Sequence, residues 1–314
     1  MVNLVLNENM KIYRRVRTWI MIGLMIAFVL LANIMDWHSD GKNAKGDSWR
    51  AELLQEKQQW SETLKKTNLD EETRAFYQQQ VAVADYHLKE NIRTTEGTLW
   101  EGVNGSATLT IIISIFTIII AGDSLAGEFS TGTIKLLLIR PANRVKILVS
   151  KYLSLLIFGL LLLLILFVVS VVVNGILYGF GHLDLPLVSM TGEGQIIENN
   201  MMLNLWKTYM LNGVSTIMYV TMAFMISSAF RSSAMAIGVS IGTLFAGNIL
   251  LELLARYEWS KYTLFANTDL TQYLDGNPFK EGMTLSFSIG VLAVYFLVFN
   301  MISWLMFTQR DVAA

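Results

Sequence analysis

The chain has 314 residues, 53% of them hydrophobic and only 16% charged, with a mean hydropathy of +0.46. Soluble proteins carry about 25% charged residues, so lipid is the expected main solvent, and a net charge of −1 leaves no basic footprint for nucleic acid. With no cysteine, disulfides, thiolate metal sites and cysteine nucleophiles are excluded.

In chain order, residues 1–17 read as an amphipathic helix. At about 100° per residue, Val2, Val5, Leu6, Met10, Ile12, Tyr13 and Val16 share one arc, and Asn3, Asn7, Glu8, Lys11, Arg14 and Arg15 share the other. Such a helix is expected to lie in the headgroup plane. Six apolar runs long enough to span a bilayer follow, at 18–35, 102–122, 148–177, 208–230, 232–254 and 284–308. The three prolines, Pro141, Pro186 and Pro278, fall between the runs, as expected if the runs are helices.

Charge orients them. Lys11, Arg14, Arg15 and Arg17 precede the first span, Lys135, Arg140, Arg144, Lys146 and Lys151 follow the second, and Arg231 sits between the fourth and fifth. The positive-inside rule puts these three segments, and both termini, in the cytoplasm. The connection at 178–207 has no Lys or Arg between 183 and 206, which suits the outer face.

The one large polar insert, 36–101, is then extracellular. Trp49, Leu53, Trp60 and Leu64 recur at helical spacing, with a weaker stripe at Phe76, Val83, Tyr86 or His87, and Leu88. Asn68 and Glu71 have capping-box spacing. The spacing predicts a hairpin of two helices, about 48–66 and 69–92.

In the fifth span, Ala234, Gly238, Gly242 and Ala246 recur every four residues, a pattern for close helix approach and a candidate subunit interface. Glu252 at its outer end, with Arg256 four residues on, reads either as an outer gate or as a helix-end ion pair. Residues 255–283 alternate aromatics with charges; Trp259, Tyr262, Phe265 and Tyr273 suit an interfacial belt, and short helices dipping into the outer leaflet are expected.

No catalytic, cofactor-binding or metal-ligating residue is expected. Gly238-Val239-Ser240-Ile241-Gly242 matches G-x-S-x-G, but inside a predicted membrane helix, and His38, His87 and His182 all lie outside the spans. Neither H-E-x-x-H nor G-x-x-x-x-G-K-[ST] occurs, so any nucleotide that powers the protein must be bound by another subunit.

The segment after the second span carries Gly127-Glu128, Gly132-Thr133, leucines at 136–138, Pro141 and Arg144. This run resembles the permease subunits of the ABC-2 type ABC transporter family, in particular bacterial permeases of the bacitracin-resistance and sodium-extrusion type. The likeness extends to the N-terminal helix, the six spans, the stretch at 259–270 and the closing Arg310-Asp311.

The resemblance implies an all-α fold of six transmembrane helices in a bacterial plasma membrane, with 123–147 as a cytoplasmic coupling segment. Gly127, Glu128, Gly132, Thr133, Leu137, Pro141 and Arg144 would engage an ATPase, the glycines turning the backbone sharply and Pro141 starting the helix into span three. Two ABC ATPase subunits would hold ATP and Mg, and a second permease, identical or homologous, would complete the pore. The expected activity is export of a hydrophobic or amphipathic substrate, such as a peptide antibiotic or lipid-like molecule. The rival reading is a peptide-sensing immunity module that acts through the extracellular hairpin without export.

Overall fold

A computed structural model describes residues 1–40, 49–66, 69, 71–134, 143–190, 194–274, 276 and 278–309. The helices are α1 (Val2–Tyr13), α2 (Val16–Asp40), α3 (Trp49–Leu64), α4 (Glu71–Glu90), α5 (Leu99–Ser106), α6 (Thr110–Ser130), α7 (Arg144–Tyr178), α8 (Met201–Ala229), α9 (Ser233–Leu254), α10 (Leu264–Thr268) and α11 (Leu285–Gln309). Among the described residues, six helical stretches are long and apolar enough to cross a membrane; α5 and α6 form one of them through the 3₁₀ turn Ala107–Leu109.

Side-chain caps fix where three of these helices begin. Asn143 accepts from the Val145 amide at 3.1 Å, Asn200 from Leu203 at 3.0 Å, and Ser232 from Met235 at 3.4 Å, each satisfying an amide that the first turn leaves open. The α6–α8 pair forms the most extensive helix contact, and α7, α9 and α11 also pack on α8. Polar side chains join the spans where lipid offers no alternative partner. Asn33 of α2 donates to Ser106 of α5 at 3.0 Å, Tyr152 of α7 meets Thr221 of α8 at 2.7 Å, and Tyr209 of α8 donates to the Val103 carbonyl at 3.0 Å.

At the end of the bundle opposite α1, α3 and α4 pair as predicted, and of the two predicted stripes only Phe76 turns outward. Leu53, Ala84 and His87 are buried, whereas Phe76 is 50% exposed. Asn68 lies outside the described residues. An antiparallel ribbon, β1 (Pro186–Met190) with β2 (Ile196–Asn200), occupies the connection read from sequence as a plain loop, in register Val188 to Glu198. It packs on α4, and Tyr86 donates to Glu198 at 3.0 Å.

Short helices do form in the 255–283 segment: Glu258–Tyr262, α10 and Thr271–Tyr273. Buried Asn267 holds them, donating to the carbonyls of Lys261 at 2.7 Å and Thr263 at 2.8 Å and accepting from Ser288 of α11 at 2.6 Å. Phe265 fills the space beside Gly247 of α9, where an added Cβ would meet the ring at 2.0 Å.

Candidate functional site

The apolar run counted from sequence stops at Gly122, but the helix does not: α6 continues to Ser130. Its last two turns carry Asp123 and Glu128, which can remain helical because cations from other elements reach them. Lys151 of α7, with a side chain only 3% exposed, donates to Glu128 at 3.0 Å and to Glu8 of α1 at 2.8 Å. Lys11 of α1 closes the set, 2.8 Å from Glu8 and 3.2 Å from Glu128. Two carboxylates and two ammonium groups thus form a neutral quartet.

Neutrality matters because an uncompensated buried charge costs about 3–5 kcal/mol. The quartet sits against a cavity of about 800 Å³, lined also by Thr131 and Ser154. Burial works against the Glu8 charge, but Lys151 and the donations from Lys11 and Lys151 outweigh it and hold the carboxyl below its ordinary 4.5. Lys11 is likewise opposed by burial and held above 10.5 by Glu8 and Glu128.

A second cluster lies one helical turn deeper. Asp123 accepts from Arg15 and Arg17 and from the hydroxyl of Ser233, the first residue of α9. Beside it, Ser227 of α8 donates to the Gly122 carbonyl at 2.6 Å and accepts from the amides of Leu125 at 3.1 Å and Ala126 at 3.0 Å. Gly122 lets α9 approach: a Cβ there would lie 3.2 Å from the Ile237 Cα. The end of α6 is therefore gripped by α1, α7, α8 and α9.

Of the residues singled out from sequence, Gly127, Glu128, Gly132 and Thr133 are brought together here. Thr133 donates its hydroxyl to Glu128. Only one of the two glycines turns the chain. Gly132 has φ +72°, a left-handed conformation that favours glycine, and follows the helix end. Gly127 is helical, and its expected sharp turn is absent; it is spaced one turn from Asp123, whose carboxylate a Cβ would meet at 2.6 Å.

Arg144 stands apart from the quartet, donating to the Thr308 carbonyl at 3.0 Å and tying α7 to the end of α11. Leu137 and Pro141 lie outside the described residues.

Elsewhere the expectations divide. Ala234, Gly238, Gly242 and Ala246 are all exposed, and a Cβ at either glycine would meet nothing within 4 Å. The opposite face, Ala236, Ser240, Leu244 and Gly247, is the buried one. Ser240 donates to the Ala236 carbonyl at 2.7 Å, a back-bond within its helix. Glu252 and Arg256 form no ion pair; Arg256 instead donates to the Tyr257 hydroxyl at 2.8 Å and lies over its ring.

Two comparisons place the chain. A family described as "Protein of unknown function (DUF2705)" matches residues 71–313. The chain belongs to that family. It is 43% identical over the whole length of both chains to "Uncharacterized protein YhcI" of Bacillus subtilis (strain 168). It is also 32% identical over 208 residues, 65% of this chain and 80% of the relative, to "Uncharacterized membrane protein YdbK" of the same organism. With six apolar helices and such a relative, this DUF2705 member is a multi-pass membrane protein.

The DUF2705 match takes in Asp123, Glu128, Lys151 and Ser227 but starts after α1, so Glu8 and Lys11 lie outside it. The sequence did hold a clue to the quartet. Lys151 stands at the head of a long apolar helix, and a cation in that setting calls for a carboxylate partner.

Proposed function

We propose that the chain is the membrane-spanning permease subunit of an ATP-driven ABC-2 type exporter in a bacterial plasma membrane. The observation that carries this reading is the fastening of Glu128. It belongs to the run that resembles an ATPase-coupling segment, and Lys151 links it to α7 and, through Glu8, to α1. A push on residues 127–133 is thereby delivered to α1 and α7 as well as to α6 itself.

In this reading α1 and residues 123–147 face the cytoplasm, where two ABC ATPases bind ATP and Mg. The exposed apolar stripe Met1, Val2, Leu6 and Met10, continued by Trp19 and Ile20 of α2, suits an interfacial helix in the inner leaflet. The α3–α4 hairpin stands outside the cell. A second permease, identical or homologous, covers the small-residue face of α9. ATP binding closes the ATPases, shifts the end of α6 and changes access to a path for a hydrophobic or amphipathic cargo. The chain itself performs no chemistry.

Thr131 tests this directly, since it is exposed beside Gly132 and the chain has no native cysteine. Thr131→Cys, treated in native membranes with a thiol-to-amine cross-linker, is expected to capture a chain that carries a phosphate-binding loop. Capture of lipid or of the chain itself alone would count against the reading.

A further inference from the structure

A second cavity lies at the opposite end of the bundle. It measures about 450 Å³ and is enclosed by the end of α5, the start of α6, the first half of α8 and the 268–274 segment. Its volume lies within the range of about 300–1,000 Å³ usual for small-ligand sites. Its lining is rich in uncharged polar side chains. Asn104, Asn204 and Asn212 border it, and among the described residues none of their side-chain amides has a hydrogen-bond partner within the chain. Thr110, 5% exposed, also lines it, and its hydroxyl is buried without a partner.

The charge of the cleft has one sign. Asp269 is the only acidic or basic side chain among its described lining residues. One carboxylate oxygen is held by the Thr271 amide at 2.9 Å and the Thr271 hydroxyl at 2.6 Å, which fixes the group while its other oxygen makes no such bond. Asp269 itself is exposed, so it stands at the mouth, while Thr110, Ser114 and Thr208 are buried further in. Hydroxyls of the wall are held in place: Tyr219 donates to Thr268 at 3.2 Å, and Ser215 donates to the Thr268 carbonyl. Unpaired amides, a buried unpaired hydroxyl and one fixed carboxylate favour a ligand with a positive centre and several hydrogen-bonding groups.

We infer that this cleft is a binding site for an amine-bearing, amide-rich ligand of short-peptide size, with Asp269 holding the ammonium group and Asn104, Asn204, Asn212 and Thr110 receiving the polar backbone. The site stands on its own geometry and does not depend on an ATPase partner.

The absence of native cysteine makes the test clean. Full-length Asn212→Cys in lipid nanodiscs is exposed to a trimethylammonium-ethyl or a sulfonatoethyl methanethiosulfonate, each rate being corrected for that reagent's reactivity with a free thiol. The corrected cationic rate is expected to exceed the anionic one roughly tenfold, as a nearby carboxylate in a partly wet site dictates. Asp269→Asn should bring the two rates together. Trilysine should slow the cationic reagent and triglutamate should not.

Thr208→Cys, one turn earlier on the same helix, is expected to give the same order of rates. Leu297→Cys on the outer face of α11, where the side chain is 66% exposed to the surroundings, is expected to stay unreactive. No reaction at either cleft position, equal corrected rates, or equal protection by the two peptides would overturn the proposal.

Discussion

Ser227 donates its hydroxyl to the carbonyl oxygen of Gly122 at 2.6 Å, joining α8 to α6 where the apolar part of α6 ends. The Ser227 hydroxyl oxygen in turn accepts from the amides of Leu125 and Ala126, so one buried side chain serves three backbone groups. A side chain set against a helical ladder in this way is a recognised cause of bending. The Ser227 contact stands between the apolar part of α6 and Glu128. Ser227→Ala leaves these groups without that oxygen and is expected to lower stability by about 1–3 kcal/mol. Thermal unfolding of the detergent-solubilised chain reads this as a lower midpoint; an unchanged midpoint would mean that the hydroxyl is dispensable.

The quartet predicts strong coupling between Lys151 and Glu128. Lys151→Met leaves Glu8 and Glu128 buried with one cation between them and should destabilise by about 3–5 kcal/mol. Adding Glu128→Gln to Lys151→Met should cost less than the sum of the two single substitutions, with an interaction of about 0.5–3 kcal/mol. A double-mutant cycle under chemical denaturation measures it, and simple additivity would show that the pair acts independently.

The attachment of α1 should respond to acid with a definite sign. Glu8 titrates below its ordinary 4.5 in the folded chain, so its contribution is complete above pH 4.5 and lost as pH falls through the lower folded value. Lys11 titrates above 10.5, so its contribution is complete below pH 10.5 and lost only as pH rises beyond the folded value. Proteolysis of residues 1–17 should therefore be flat between those limits and rise as pH drops below 4.5. Glu8→Gln should remove much of that acid step while keeping the global fold.

Two glycines separate packing within the chain from packing against a second copy. Gly122→Ala sets a Cβ 3.2 Å from the Ile237 Cα and must push α6 from α9, which should lower the unfolding midpoint. Gly238→Leu projects into open space and should leave monomer stability within about 0.5 kcal/mol. The same change should dissociate a permease pair in size-exclusion chromatography with light scattering. Retention of an intact dimer would move the interface elsewhere.

Much of the architecture was legible because lipid imposes a length rule on apolar runs, and α2, α5 with α6, α7, α8, α9 and α11 obey it. The boundary of α6 was not, because counting stopped at Asp123, whereas the helix depends on Arg15, Arg17 and Lys151 arriving from distant sequence. The same holds for the coupling residues: Glu128 stands in a recognisable run, but its cation Lys11, and Glu8 beyond it, lie more than a hundred residues away. The β1–β2 ribbon escaped notice because its strands are five residues each and largely polar in β2. Glu252 and Arg256 had the spacing of a helical pair, yet α9 ends at Leu254, which carries Arg256 off the helix and onto Tyr257.

The central claim is that the end of α6 receives force from a separate ATPase. Gentle purification of the full-length chain from its native membrane, with mass spectrometry of the co-purifying chains and measurement of ATP hydrolysis, tests it most directly. The account predicts a partner with a phosphate-binding loop whose hydrolysis is stimulated by the wild-type chain, with the stimulation lost in Glu128→Ala. A correctly folded preparation with no ATPase, or stimulation indifferent to Glu128→Ala, would contradict it.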